Sequence, residues 1–343
     1  MNGMLFSFYL SSTNDIKLSY DYVSSLTNRK YFSPKIFTDC SIRGQFSSTW
    51  VKDESWKNVK VLCFVVTNTE VLDTQTKYIL QSWGPKCDIT LYIADKNNFT
   101  FPTVKVTEME GPQWTWTKVR NALKLIHDKY WSQVDWILKV EDDSYVHVPN
   151  LRKFLAGRDK TKTDEYFGQR FAPYVEGGYP SAAGYVMNKQ VLKKLVTEGF
   201  KSNKGCPAIT EPMSDYIGIA KCMRTIGVQL KTATSSMLSA DQTPNHDEHD
   251  LFHAFSPELE YNLARKREKW FDRHYEQSVL EETKYSWKKN DKSFQGSASG
   301  NFGFDAANRC CSKRDVITFH RLSGPVILWV DFMYNNFTVH SYN

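Results

Sequence analysis

A chain of 343 residues with 41% hydrophobic and 14% aromatic side chains has the material for a sizeable core, which excludes wholesale disorder. Its formal net charge of +6 is mild for that length, and no Lys/Arg block or aromatic-basic interleave marks a nucleic-acid groove, so DNA and RNA are discounted as partners. No stretch approaches the roughly 20 apolar residues of a membrane span. The apolar run at 4–10 is short and lacks a basic lead-in, so neither an anchor nor a signal peptide is expected in the sequence as read.

In chain order, residues 1–57 show weak periodicity and much Ser, Thr, Asn and Tyr, and read as a stem-like extension ahead of a domain over 58–343. Regular structure is expected from 59–67, an apolar run suited to a buried strand. Asp73 or Thr74 is the expected cap of a helix running to Trp83, stopped by Gly84-Pro85. Strands follow at 89–94 and 103–106. Over 116–130, Val119, Ala122, Leu123, Ile126 and Tyr130 recur at helical spacing and form one apolar face. The run Trp136-Ile137-Leu138-Lys139-Val140 then returns to strand. This β-α-β-(β)-α-β order implies a mainly parallel sheet with right-handed crossovers, the architecture of a nucleotide-binding half.

Downstream, Asn150 is the expected cap of a helix through Leu155. A strand at 166–170, a turn at 177–180 and a strand at 183–187 come next. Helices are expected at 189–198 and 211–225, the second stopped by Gly227, and a strand-like segment at 326–334. Between 235 and 308 the pattern weakens. The charged, aromatic stretch 261–292 reads as a solvated face, and 296–303 is Gly/Ser-rich.

The chemistry concentrates at the tip of the Trp136 run, where it meets Glu141-Asp142-Asp143-Ser144. Alternate strand side chains share a face, so Ile137, Lys139, Glu141 and Asp143 would lie together. Ligands of open α/β sheets sit beyond the carboxyl ends of the strands. Two carboxylates there can hold a hard divalent cation, and the cation a diphosphate. The same residues also suit an ordinary Asp/Ser turn, and spacing alone leaves both readings open.

The seven cysteines, Cys40, Cys63, Cys87, Cys206, Cys222, Cys310 and Cys311, are too scattered for a zinc site. Asn98-Phe99-Thr100 and Asn336-Phe337-Thr338 are N-glycosylation sequons and lean towards the secretory pathway, where oxidised cysteine pairs form. Small buried thiols are the alternative reading.

An ordered set of short pieces resembles the core 1 β1,3-galactosyltransferases, within the wider fringe-like β1,3-glycosyltransferase group. The pieces are Val61-Leu62-Cys63, Ser82-Trp83, Trp116-Thr117-Lys118 and the run from Trp136 to Val146. They continue with the stretch from Tyr166 to Val175, Ser181-Ala182-Ala183-Gly184-Tyr185-Val186, Phe252-His253-Ala254-Phe255, Cys310-Cys311-Ser312 and Thr318-Phe319-His320. The resemblance implies a GT-A fold: a Rossmann-like nucleotide-sugar-binding sheet flanked by helices, with a metal-bearing D-x-D motif. It implies inverting transfer of galactose from UDP-galactose to O3 of a GalNAc linked to Ser or Thr on a glycoprotein. It also implies Mn²⁺ and a Golgi lumenal, type II membrane setting, and it allows a homodimer.

Residue by residue, the resemblance places Glu141 and Asp143 at the two acidic positions of the D-x-D and His320 at the third metal ligand. Asp215 takes the place of the general base, although an acid in a helix's first turn is also what the macrodipole favours. Thr67, Lys118, Lys139 and Asp142 are expected to contact the sugar nucleotide, and Tyr185 lies where donor and acceptor walls meet, although a packed strand aromatic is an equal reading of it. The implied disulfides are Cys63 with Cys87 and Cys206 with Cys222. Cys310 and Cys311 are linked to each other or to neither, and Cys40 is left over. Three departures stand out: Glu141 replaces Asp, Ser214 replaces the acid before Asp215, and Ser181-Ala182-Ala183 replaces a Gly-rich turn. They keep two other readings alive, a non-catalytic relative that binds glycoprotein or a partner enzyme, and a fringe-like transferase with another sugar or acceptor.

Overall fold

A computed structural model of the chain describes residues 54–98, 101–109, 111–171, 175–202, 205–238, 250–253 and 315–336. The stem-like stretch up to residue 53, Cys40, Cys310, Cys311, the segments 261–292 and 296–303, and the last two residues of each sequon lie outside them.

Strand β1 (Val61–Val66) is an interior strand, paired on both sides. Its alternate side chains enter two different cores: Val61, Cys63 and Val65 face one way, Leu62 and Phe64 the other. A strand buried on both faces reads as a continuous apolar run, which is why no polar alternation marks it. Strands β2 (Ile89–Ala94) and β3 (Thr103–Lys105) extend the sheet on one side, and β4 (Trp136–Glu141) lies on the other; all four are parallel.

Strand β5 (Tyr145–Val146) leaves this sheet. β6 (Tyr166–Phe171), β7 (Tyr179–Asn188) and β8 (Lys231–Thr232) complete seven strands in the order β3-β2-β1-β4-β7-β6-β8. β7 runs antiparallel to both β4 and β6. A three-stranded sheet joins β5 to β9 (Phe252–His253) and β10 (Thr318–Phe319), in the order β5-β10-β9.

Helices cover both faces. The Lys139 face carries α2 (Thr115–Tyr130), α4 (Lys189–Thr197) and α5 (Asp215–Thr225). The opposite face carries α1 (Lys77–Gln81), α3 (Val148–Ala156) and α6 (Gly324–Asn336). The expected α/β class, with a parallel nucleotide-binding-type half, is the class observed. None of the described helices is long and apolar enough to cross a membrane.

Several local expectations are corrected. Residues 326–334 belong to α6, not to a strand. Gly324 brings the helix within contact of Tyr78, and Pro325 can occupy a first-turn position without losing a helical hydrogen bond. Neither Asp73 nor Thr74 caps α1, which is preceded by a π-turn, Leu72–Thr76. Asn150 sits inside α3 behind Pro149, and its amide donates to the Val316 carbonyl instead of capping. α5 starts at Asp215, four residues later than expected from Glu211. Tyr179 and Pro180, expected in the turn at 177–180, are in β7, which also takes in Ser181 and Ala182 ahead of the expected strand start at Ala183.

Gly184 explains how β7 fits against β4. Its φ is +94°, and a Cβ there would stand 2.4 Å from the Lys139 carbonyl oxygen. Only glycine permits that approach without strain. Both expected disulfides are present, Cys63–Cys87 joining β1 to the segment before β2, and Cys206–Cys222 holding α5.

Candidate active site

Parallel pairing sets Glu141 at the end of β4 directly beside Val66 at the end of β1. The chain then turns, with the Ser144 amide donating to the Glu141 carbonyl and the Trp83 indole donating to the Ser144 carbonyl at 3.0 Å. This holds Asp142 and Asp143 at the carboxyl edge of the sheet, the position at which open α/β sheets bind ligands.

His320 arrives from 179 residues away. The pairing of β10 with β5 delivers it, and the Leu322 amide donating to the Asp143 carbonyl at 2.9 Å holds the segment that follows. Gln75 ties the two segments of this junction together, donating to the Asp142 and Leu322 carbonyls. Arg321, next to the histidine, has φ +62°, a left-handed conformation that non-glycine residues adopt mainly where tertiary structure holds them.

His320 Nε2 lies 3.0 Å from Asp143 Oδ1 and 3.3 Å from Glu141 Oε2. One ligand atom from each of the three residues can be chosen so that all lie within 4.8 Å of one another. Two carboxylates and an imidazole, gathered at one point and partly open, match the donor preferences of Mn²⁺ and similar divalent ions. Burial alone would lower the His320 pKa, but the hydrogen bonds to Asp143 and Glu141 outweigh it and lift the pKa to about 9. Metal ligation needs the neutral ring, so an ion bound here displaces that proton.

Beneath this cluster is a second, buried one. Lys139 has no exposed surface and meets Asp215 at 2.8 Å and Glu141 at 3.4 Å. Its ammonium also stands 4.2 Å from the centre of the Tyr216 ring. Burial opposes the charge on Lys139, yet Asp215 and Glu141 more than offset it and raise the pKa. Burial raises the Asp215 carboxyl, with Lys139 pulling the other way. Glu141 is held well below the usual carboxylate range: burial would raise it, but Lys139, His320 and Tyr216 all favour its charged form.

Of the expected sugar-nucleotide contacts, Thr67 and Asp142 are hydrogen-bonded to each other at 2.7 Å. Burial pushes the Asp142 carboxyl up to about 6, against the pull of that bond. Lys118 donates to the Thr67 carbonyl at 3.0 Å, binding α2 to the tip of β1. Thr67, Lys118, Asp142, Lys139 and the Glu141-Asp143-His320 cluster therefore form one connected region. Among the described residues, the Asp215 carboxylate meets this region at Lys139, and at 2% exposure it does not face solvent. Tyr185 is fully buried, packed edge to face on Tyr166, and presents no surface to a ligand.

The residue that sequence reasoning missed is Tyr216. Its hydroxyl donates to Glu141 Oε1. Only its place beside Asp215 at the start of α5 could have drawn attention to it.

A nucleotide-binding-type α/β sheet bearing a carboxylate-imidazole cluster at its carboxyl edge is the class that fold and site define. Among curated proteins, the chain is 30% identical over 224 residues to glycoprotein-N-acetylgalactosamine 3-beta-galactosyltransferase 1 of Xenopus laevis, covering 64% of this chain and 58% of that protein. It is 22% identical over 154 residues to human chondroitin sulfate glucuronyltransferase, covering 43% of this chain and 19% of that one. The matches thus span less than two thirds of either relative's length. Both relatives are glycosyltransferases by name, and the first supports the resemblance to core 1 β1,3-galactosyltransferases. No protein-family model matches the chain. Among solved structures, a glycosyltransferase involved in the glycosylation of the major capsid of PBCV-1 superposes with a TM-score of 0.33 at 15% identity, over 50% of this chain and 81% of that chain.

Proposed function

We propose that this protein is a metal-dependent, inverting β1,3-galactosyltransferase that moves galactose from UDP-galactose to O3 of Ser/Thr-linked GalNAc on glycoproteins. The observation that supports it is the convergence of Glu141, Asp143 and His320 at the carboxyl edge of the sheet. In this reading those three residues hold Mn²⁺. The ion supplies Lewis-acid stabilisation of the charge that develops on the departing diphosphate.

The chain's own groups do the rest. Thr67 and Asp142, tied together at the end of β1, shape the floor of the donor site. Lys139 brings a positive charge under that floor, and Lys118 fixes the tip of β1. Asp215 accepts the proton of the attacking hydroxyl, and a carboxyl whose pKa is raised by burial is better matched to that task. Asp215 is buried and paired with Lys139 at 2.8 Å, so this role requires that pair to open before an acceptor hydroxyl can reach the carboxylate. The two disulfides suit an oxidising compartment, and the Golgi lumen is part of the proposal.

The test is UDP release from UDP-galactose with a GalNAc-O-peptide acceptor. Release that requires Mn²⁺ and disappears in Asp143→Ala, with the fold retained by circular dichroism, is the expected result. Release that is equal with and without metal chelation, or a preference for another UDP-sugar, would overturn the assignment.

A further inference from the structure

The Glu141 side chain has one methylene more than an aspartate, and therefore one more rotatable bond to fix before its carboxylate can serve at a defined point. Three neighbours restrain it. His320 takes Oε2, while Tyr216 and Lys139 both take Oε1. Of the two that hold Oε1, the lysine contact is long at 3.4 Å and shared with Asp215, which leaves the tyrosine hydroxyl as the closer restraint. Tyr216 is itself fixed, because it is the second residue of α5, whose Ile219 packs into the core and whose Cys222 is disulfide-bonded.

We propose that Tyr216 is a positioning residue: its hydroxyl pins Glu141 Oε1 so that Oε2 alone is presented, beside Asp143 and His320, to a divalent cation. This rests on the metal reading given under Proposed function and adds to it a residue outside the ligand set. Partners that orient a ligand in this way change metal affinity by about 10- to 100-fold when removed. The geometry also makes the role specific to glutamate. A carboxylate shorter by one C–C bond, about 1.5 Å, falls short of the phenol.

The experiment is a titration of the full chain with Mn²⁺, followed by the electron paramagnetic resonance signal of the free aquo ion. It uses the wild type, Tyr216→Phe, Glu141→Asp and the double variant. Phe keeps the ring beside Lys139 and removes only the hydroxyl. Tyr216→Phe is expected to weaken Mn²⁺ binding about 10-fold or more with the melting temperature nearly unchanged. In the Glu141→Asp background the same change is expected to have no further effect. Equal affinities for wild type and Tyr216→Phe, or an equal loss in both backgrounds, would overturn the positioning role while leaving the metal site standing. No binding by the wild type would overturn the metal reading and this role with it.

Discussion

Replacing Lys139 by methionine would leave the buried acids without their cation. The ammonium has no exposed surface, lies 2.8 Å from a carboxylate that is itself 3% exposed, and is 3.4 Å from a second. Removing one member of such a pair typically costs roughly 3–5 kcal/mol, because the remaining charge is stranded away from water. Asp215 is the group stranded most deeply. Its folded pKa, already raised by burial, would rise further. A carboxyl whose folded pKa lies above its unfolded value costs nothing at pH below both, and the penalty grows as pH climbs between them. The deficit of Lys139→Met is therefore expected to be largest at pH 7 and to shrink on acidification towards pH ~4, near the unfolded carboxyl value. The assay is urea unfolding at pH 7 and pH 5 for the wild type, Lys139→Met and Lys139→Met/Asp215→Leu. The second substitution removes the stranded charge and should restore about 2 kcal/mol or more. A single-variant deficit below about 1 kcal/mol, or strict additivity of the two substitutions, would refute the reasoning.

Other expectations are simpler. Burial lowers His147 to about 4, so the folded state resists its protonation while the unfolded state accepts it near pH 6.5. Stability should fall as pH drops through that window, by roughly 2 kcal/mol between pH 6.5 and 5, and His147→Gln should flatten that part of the unfolding profile. Gly184→Ala puts a methyl group 2.4 Å from the Lys139 carbonyl at positive φ, and a loss of about 2–4 kcal/mol in chemical unfolding is expected. Removing the Cys63–Cys87 bridge by a double alanine substitution should lower stability by about 2–4 kcal/mol, read as an earlier urea midpoint.

Sequence legibility followed the range of the interactions. β1 and β4 are continuous apolar runs, and α2 carries a clean one-sided stripe, so local pattern was enough for each. α6 misled because it is apolar nearly all round, with Val326, Ile327, Leu328, Trp329 and Val330 in sequence, and a helix without a polar face has no period to read. Asn150 looked like a cap because caps favour that residue type, but its tertiary partner, the Val316 carbonyl, is invisible in a local window. The acids at the tip of β4 were legible as a pair from their spacing, but strand alternation is not what joins them: β4 ends at Glu141, and the turn that follows carries Asp143. His320 was not legible, since only the pairing of β10 with β5 brings it there, and family resemblance alone singled it out. Tyr216 went unseen because a tyrosine at a helix start has no signature; its meaning comes from Glu141, 75 residues earlier.

The most direct test of the central claim is a crystal soaked with Mn²⁺ and UDP, with diffraction data collected on either side of the manganese absorption edge. The account requires one anomalous peak bonded to Glu141, Asp143 and His320, with the diphosphate on its open side. A peak elsewhere, or UDP bound with no ion between those three side chains, would contradict it.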